Sequence, residues 1–81
     1  MRDMLIDAQT SYLVGAINKH KANIEVYMNN TVGIGEHSDI METIDLELEQ
    51  LSNYHDKLEM LVKYFPKTTE GESNEESGTS N

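Results

Sequence analysis

The chain has no cysteine and no tryptophan, one proline, one phenylalanine, and only six cationic residues against fifteen carboxylates among its 81 residues. Without cysteine it can build neither a disulfide framework nor a structural thiolate zinc site. No apolar run approaches the roughly 20 residues that a bilayer span requires. The opening Met1-Arg2-Asp3-Met4-Leu5-Ile6-Asp7 meets acids too early for a secretory signal. The sequence therefore predicts a cytoplasmic protein with no membrane partner, at most one small domain in size.

The scarcity of cations narrows the choice of ligand. The formal charge is −9, of which residues 67–81 carry Lys67 against Glu70, Glu72, Glu75 and Glu76, leaving −6 on residues 1–66. Tracking the phosphates of a DNA or RNA polymer needs clustered cations that release counterions, so no nucleic-acid polymer is expected as a partner. A small anion needs only one or two cations and aimed backbone amides, and Lys19, Lys21 and Lys63 can supply the cations.

What the chain does have is helical periodicity. From Asp39 to Phe65 the apolar residues Ile40, Ile44, Leu48, Leu51, Leu58, Val62 and Phe65 recur at three- and four-residue steps, with His55 in the remaining turn. Asp39 with Glu42 reads as a capping box, Ser38 is a competing cap, and Pro66 forbids easy continuation. This gives a helix over 39–65. Upstream, Leu13, Ala16, Ile17, His20, Ile24, Tyr27 and Met28 form a second stripe, preceded by Leu5, Ile6 and Ala8. Gly15 costs about 1 kcal/mol relative to alanine inside a helix. With Thr10 and Ser11 beside it, a break is expected there, giving a short helix at about 3–13 and a longer one at about 16–29.

The expected fold class is therefore all-α, a helical hairpin with a short N-terminal helix over residues 1–66, followed by a tail. Residues 67–81 contain no apolar side chain that could offset the entropy of ordering, so they are expected to form a disordered acidic tail. A two-helix core is thin, and a second apolar set on the last helix, Met41, Tyr54, Leu61 and Tyr64, lies off the main stripe. Burial of that set against other copies of the chain predicts a homo-oligomer.

The connection spanning 30–38 is longer than the two to about five residues that reverse a helical chain. Gly33 and Gly35 permit positive φ and close approach of a ligand to the backbone, and the following helix start presents unpaired N–H groups. Glu36 and Asp39 can cap those amides themselves, and on physical grounds alone this self-capping competes with anion binding. His37 between two acids makes a poor chelate, with no His-x-x-x-His pair to complete it, so no metal and no cofactor are expected. His55 reads as an interior or interface histidine, and His20 is open to either role. Tyr12 and Tyr27 offer ring faces for stacking on bases, or ordinary packing, which suits Tyr27 better. Catalytic signatures are missing from the sequence: it has no Gly-x-Ser-x-Gly elbow and no Walker loop, and Gly33-Ile34-Gly35 lacks the third glycine of a dinucleotide fingerprint. The chain is not expected to be an enzyme.

The run Val26-Tyr27-Met28-Asn29-Asn30-Thr31-Val32-Gly33-Ile34-Gly35-Glu36-His37-Ser38-Asp39-Ile40, followed by Tyr54-His55-Asp56-Lys57-Leu58 and Lys63-Tyr64-Phe65, resembles the hairpin domain of the phage anti-CBASS protein 2 family. A related hairpin occurs in a Thoeris anti-defence sponge. The resemblance covers about residues 20–65. It implies a compact homohexamer in the host bacterial cytoplasm that binds cyclic dinucleotides and cyclic trinucleotides in inter-subunit pockets and sequesters these immune messengers without cleaving them. It also implies that Asn30, Thr31, Gly33, Gly35, Glu36 and His37 contact the ligand or shape its pocket, and that Lys63, near the end of the last helix, meets a trinucleotide phosphate. Tyr12 as a stacking aromatic and Lys19 or Lys21 as a phosphate-facing cation rest on residue chemistry alone. The rival reading is an acidic helical interaction protein or DNA mimic acting through its carboxylates.

Overall fold

The computed structural model describes residues 1–29 and 37–68, which form two long helices, α1 (Arg2–Asn29) and α2 (His37–Tyr64). The expected loop residues Asn30, Thr31, Gly33, Gly35 and Glu36 lie outside the described residues, as does the acidic segment 69–81. The helices run antiparallel. Asp3 meets Thr68, Tyr12 meets Tyr54, and His20 and Asn23 meet Glu47, so contacts advance along α1 as they retreat along α2.

The seam between the helices follows strictly alternating steps of three and four residues. On α1 the inward positions include Ile6, Thr10, Leu13, Ile17, His20, Ile24 and Tyr27, and on α2 they are Ile40, Ile44, Glu47, Leu51, Tyr54, Leu58 and Leu61. This 3.5-residue spacing keeps one row facing a partner along the full length of two wrapped helices. Leu13, 1% exposed, is the one fully buried residue among those described, and the rest of the seam is half-buried.

Three sequence expectations change here. The break at Gly15 does not occur: α1 is continuous, so there is no separate short helix at 3–13. Gly15 lies on the outer side of α1 with nothing within 4 Å of where a Cβ would sit, and Leu13 and Ile17, inward on either side, hold the turn together. The expected cap also moves, because α2 begins at His37 and Asp39 is a first-turn carboxylate near the positive end of the helix. Finally, the inner face of α2 is rotated from the expected one. Leu48 and Val62 are 46% and 62% exposed, and Phe65 and His55 also face outward, whereas Tyr54 and Leu61 turn toward α1. Apolar character alone favours Leu48 over Glu47 for the seam. Glu47 takes the inward place because α1 supplies it with two hydrogen-bond donors.

Residues 67 and 68, expected to start the disordered tail, instead fold back over the start of α1. Arg2 Nη1 donates to the Pro66 carbonyl at 2.9 Å and to Thr68 Oγ1 at 3.0 Å, and the Thr68 N–H donates to Asp3 Oδ1 at 2.9 Å. Lys67 Nζ lies 3.0 Å from Asp7 Oδ1, and that bond raises the Lys67 pKa above its ordinary value. These polar partners, not apolar burial, hold the two residues.

Two substitutions test this packing by thermal unfolding. Leu13→Ala is expected to cost about 2–5 kcal/mol, enough to unfold a chain with so thin a core. Gly15→Ala is expected to raise the midpoint, contributing up to about 1 kcal/mol of helix propensity with no clash to offset it. A lower midpoint for Gly15→Ala would show that the outer face at Gly15 is occupied.

Candidate functional site

A carboxylate turned into an apolar seam needs partners, and Glu47 has them. His20 Nδ1 lies 2.5 Å from Glu47 Oε1, and Asn23 Nδ2 donates to the same oxygen at 3.2 Å. The His20 side chain is 12% exposed and that of Glu47 19%. Hydrogen bonding from His20 first, and from Asn23 second, holds the Glu47 carboxyl below its ordinary pKa. His20 also stacks on Tyr54, with ring centroids 5.7 Å apart and planes 13° from parallel.

From this layer the site builds outward. The Tyr54 hydroxyl lies 3.4 Å from that of Tyr12, and the two rings meet edge to face at 6.0 Å and 82°. Lys57, one turn further along α2, places Nζ 5.2 Å from the centre of the Tyr54 ring. The hydrogen bond to Tyr54 raises the Tyr12 phenol above its ordinary pKa, while Lys57 and Lys19 pull it the other way. Both ammonium groups thus act on the same phenol. Ser11, Tyr12, Gly15, Lys19, His20 and Tyr54 line a shallow groove of about 350 Å³ at this place.

The charge pattern of this side of the hairpin sets it apart. The rows flanking the seam here read Leu5, Gln9, Tyr12, Ala16, Lys19, Asn23 and Val26 on α1, and Thr43, Leu46, Gln50, Asn53, Lys57 and Met60 on α2. From Leu5 to Val26 and from Thr43 to Met60 these rows contain two lysines and no carboxylate, in a chain with fifteen; Asp39, seven residues before Leu46, continues the α2 row at the connection end. Asp7, Glu25, Glu42, Asp45, Glu49, Asp56 and Glu59 fall on the back and on the other flank, by their spacing from the seam. Among the described residues, neither Lys19 nor Lys57 lies within salt-bridge distance of a carboxylate.

The expected site residues are distributed unevenly. Tyr12, 57% exposed, and Lys19 line the groove. Lys21, two residues on, stands roughly 200° round the helix from Lys19 and faces elsewhere. Lys63 lies at the far end of α2, with Nζ 5.3 Å from the centre of the Tyr64 ring. His37 opens α2. His20, open to two roles on sequence, is an interior hydrogen-bonding histidine, whereas His55 is outward, 3.9 Å from Glu59. Tyr54, which lines the groove, and Lys57, which stands over its ring, are the residues that sequence reasoning missed. Their three-residue spacing placed them on one helix face, but only the register of the hairpin brings that face to Tyr12.

Chemically, the groove offers the exposed Tyr12 ring as a stacking platform and the Lys19 ammonium as a point charge for a phosphate oxygen, with Lys57 beside it over the Tyr54 ring, which already stacks on His20. No group of three or more potential metal ligands occurs among the described residues, and none of the described helices is long and apolar enough to cross a membrane.

The Glu47 pair has a signed pH consequence. A carboxyl held below its ordinary value, 4.5, adds stability that is fully present above that pH and is lost as the pH falls through the lowered value. Glu47→Gln keeps the shape and removes the titration. Between about pH 5 and pH 3 the wild-type unfolding midpoint should fall more steeply than that of Glu47→Gln, and parallel curves would contradict the pairing.

In comparisons with protein-family models, curated proteins and solved structures, nothing matches this chain.

Proposed function

We propose that this protein binds cyclic dinucleotide and cyclic trinucleotide immune messengers and sequesters them without cleaving them, blocking CBASS effector activation in a phage-infected bacterium. The observation that carries the reading is the middle of one flank in a chain of charge −9, where Tyr12, Tyr54 and Lys19 line a groove, Lys57 stands over the Tyr54 ring, and no carboxylate lies on the flanking rows between Thr43 and Met60. Such a flank is what a nucleotide requires: ring faces for bases, ammonium groups for phosphates, and no nearby carboxylate to repel the anion. The resemblance of the glycine-rich connection to the anti-CBASS protein 2 hairpin supports the same ligand class.

The groove is shallow and open on one hairpin, so the proposed pocket is completed by further copies of the chain in a homo-oligomer, a hexamer by resemblance. The outward row Met41, Leu48, His55 and Val62 repeats every seven residues along α2. That row has the helical periodicity of a second seam, suited to a helix from a neighbouring copy. Lys63, Lys21 and the connection residues Asn30, Thr31, Gly33, Gly35, Glu36 and His37 enter the proposal as contacts shared across that assembly.

Calorimetry of the purified protein against a panel of cyclic di- and trinucleotides tests the proposal. The expected result is saturable binding at less than one ligand per chain, with the ligand recovered intact after denaturation. Tyr12→Ala should weaken binding about tenfold or more, since base stacking contributes roughly 1–3 kcal/mol per base, and Lys57→Ala should weaken it and flatten its salt dependence. Reversing Asp45, Glu49, Asp56 and Glu59 to lysine should leave binding in place, whereas a DNA mimic would lose its function. Absence of heat with every nucleotide, or recovery of a linearised product, would overturn the reading.

A further inference from the structure

His20 has a nitrogen to spare beside the groove. Its Nδ1 is taken up by Glu47, and its ring is largely buried and nearly parallel to that of Tyr54. Nε2 has no hydrogen-bond partner among the described residues, although the imidazole forms part of the groove wall next to Lys19. Interior polar groups are seldom left without a partner. Asn23 shows that an amide donor also serves Glu47. An imidazole at position 20 therefore brings what an amide does not, a second ring nitrogen and a charge that changes within the physiological pH range.

The state of that ring decides how the groove meets an anion. When it is neutral and donates Nδ1–H to Glu47, Nε2 presents a lone pair, and the Glu47–His20 pair carries a net negative charge beside the groove. When it is protonated, Nε2 presents an N–H donor and the pair is neutral. Both differences favour an anion. Glu47 and the face of the Tyr54 ring, on α2, favour the protonated form. Lys19, its neighbour on α1, and Lys57, over the Tyr54 ring, oppose it. Tyr12 adds no charge near neutral pH, because its bond to Tyr54 pushes the phenol above its ordinary value. An anion between Lys19 and His20 offsets the opposing cations and tips the ring toward the protonated form.

We propose that His20 is a ligand residue of the groove: on binding, its imidazole takes up a proton from solvent, keeps Nδ1–H on Glu47 and donates Nε2–H to a phosphate oxygen also met by Lys19. The inference rests on the reading of the groove as a nucleotide site and adds a proton linkage to it. Because binding takes up a proton wherever the free ring is neutral, affinity is full at the acid end of the range and falls as the pH rises. The proton returns to solvent when the ligand leaves.

Calorimetry against 3′,3′-cyclic di-AMP, whose phosphodiesters keep their charge throughout, tests the linkage. Affinity should fall at least about tenfold from about pH 6 to about pH 9, the effect of one hydrogen bond to a charged group. His20→Asn keeps an amide donor for Glu47 and removes Nε2, so its affinity should be about tenfold lower at about pH 6 and level across the range. A level affinity in the parent chain would overturn the proposal, and so would a pH slope that survives His20→Asn, where the other two histidines remain. Proton–nitrogen correlation spectra of the imidazoles test the same point without a substitution. At the pH where the free His20 ring is half protonated, its Nε2 resonance should move toward the imidazolium position on addition of the nucleotide, and that of His55 should not. A stationary His20 resonance would contradict the assignment. If the nucleotide binds at no pH, the sequestering function fails, and the same spectra in sodium sulfate against sodium chloride at equal ionic strength decide the role of His20. Movement of Nε2 in sulfate supports an anion receptor, and no movement overturns it.

Discussion

Glu47 is the residue on which the rest of the arrangement depends. A carboxylate in the middle of an apolar seam is costly unless its oxygens are satisfied. His20 and Asn23 satisfy it only in one alignment of the two helices. Sliding α2 by one turn would separate Glu47 from both donors while leaving the aliphatic residues of the seam nearly as well packed as before. A polar contact among interchangeable leucines and isoleucines thus selects the register, as single polar residues do in coiled coils.

Register then determines everything on the surface. With Glu47 opposite His20, Tyr54 faces α1 and its hydroxyl meets that of Tyr12, while Lys57, three residues on along the same helix, covers the Tyr54 ring. Their spacing from the seam puts Asp7, Glu25, Glu42, Asp45, Glu49, Asp56 and Glu59 on the back and the far flank, with Asp39 at the connection end of the groove flank. An acidic protein thereby keeps one strip where an anion can approach, and short-range screening lets that strip act independently of the net charge. The polar bonds joining residues 66–68 to the start of α1 close the opposite end of the hairpin.

The sequence disclosed the two long helices because both stripes repeat at three and four residues, the strongest signal a sequence carries. It overstated Gly15, whose propensity cost is small beside the packing of Leu13 and Ile17 in the adjoining turns. The face of α2 was misjudged for a related reason: hydrophobicity favoured Leu48 and Val62, and nothing local revealed that Glu47 would find two donors 24 and 27 residues away in the chain. Tyr12 and Lys19 were legible from their chemistry. Tyr54 and Lys57 were not, since their value lies in the neighbour that the register gives them. The glycine-rich connection, the most specific part of the family resemblance, lies outside the described residues.

The most direct test of the central claim, that this register builds a nucleotide-binding flank, is the set of intermolecular nuclear Overhauser effects between base protons of a bound cyclic dinucleotide and the protein. Cross-peaks from the base to the ring protons of Tyr12 and Tyr54 are the expected result. Cross-peaks confined to the methyl groups of Met41, Leu48 and Val62, with none to either tyrosine, would contradict it.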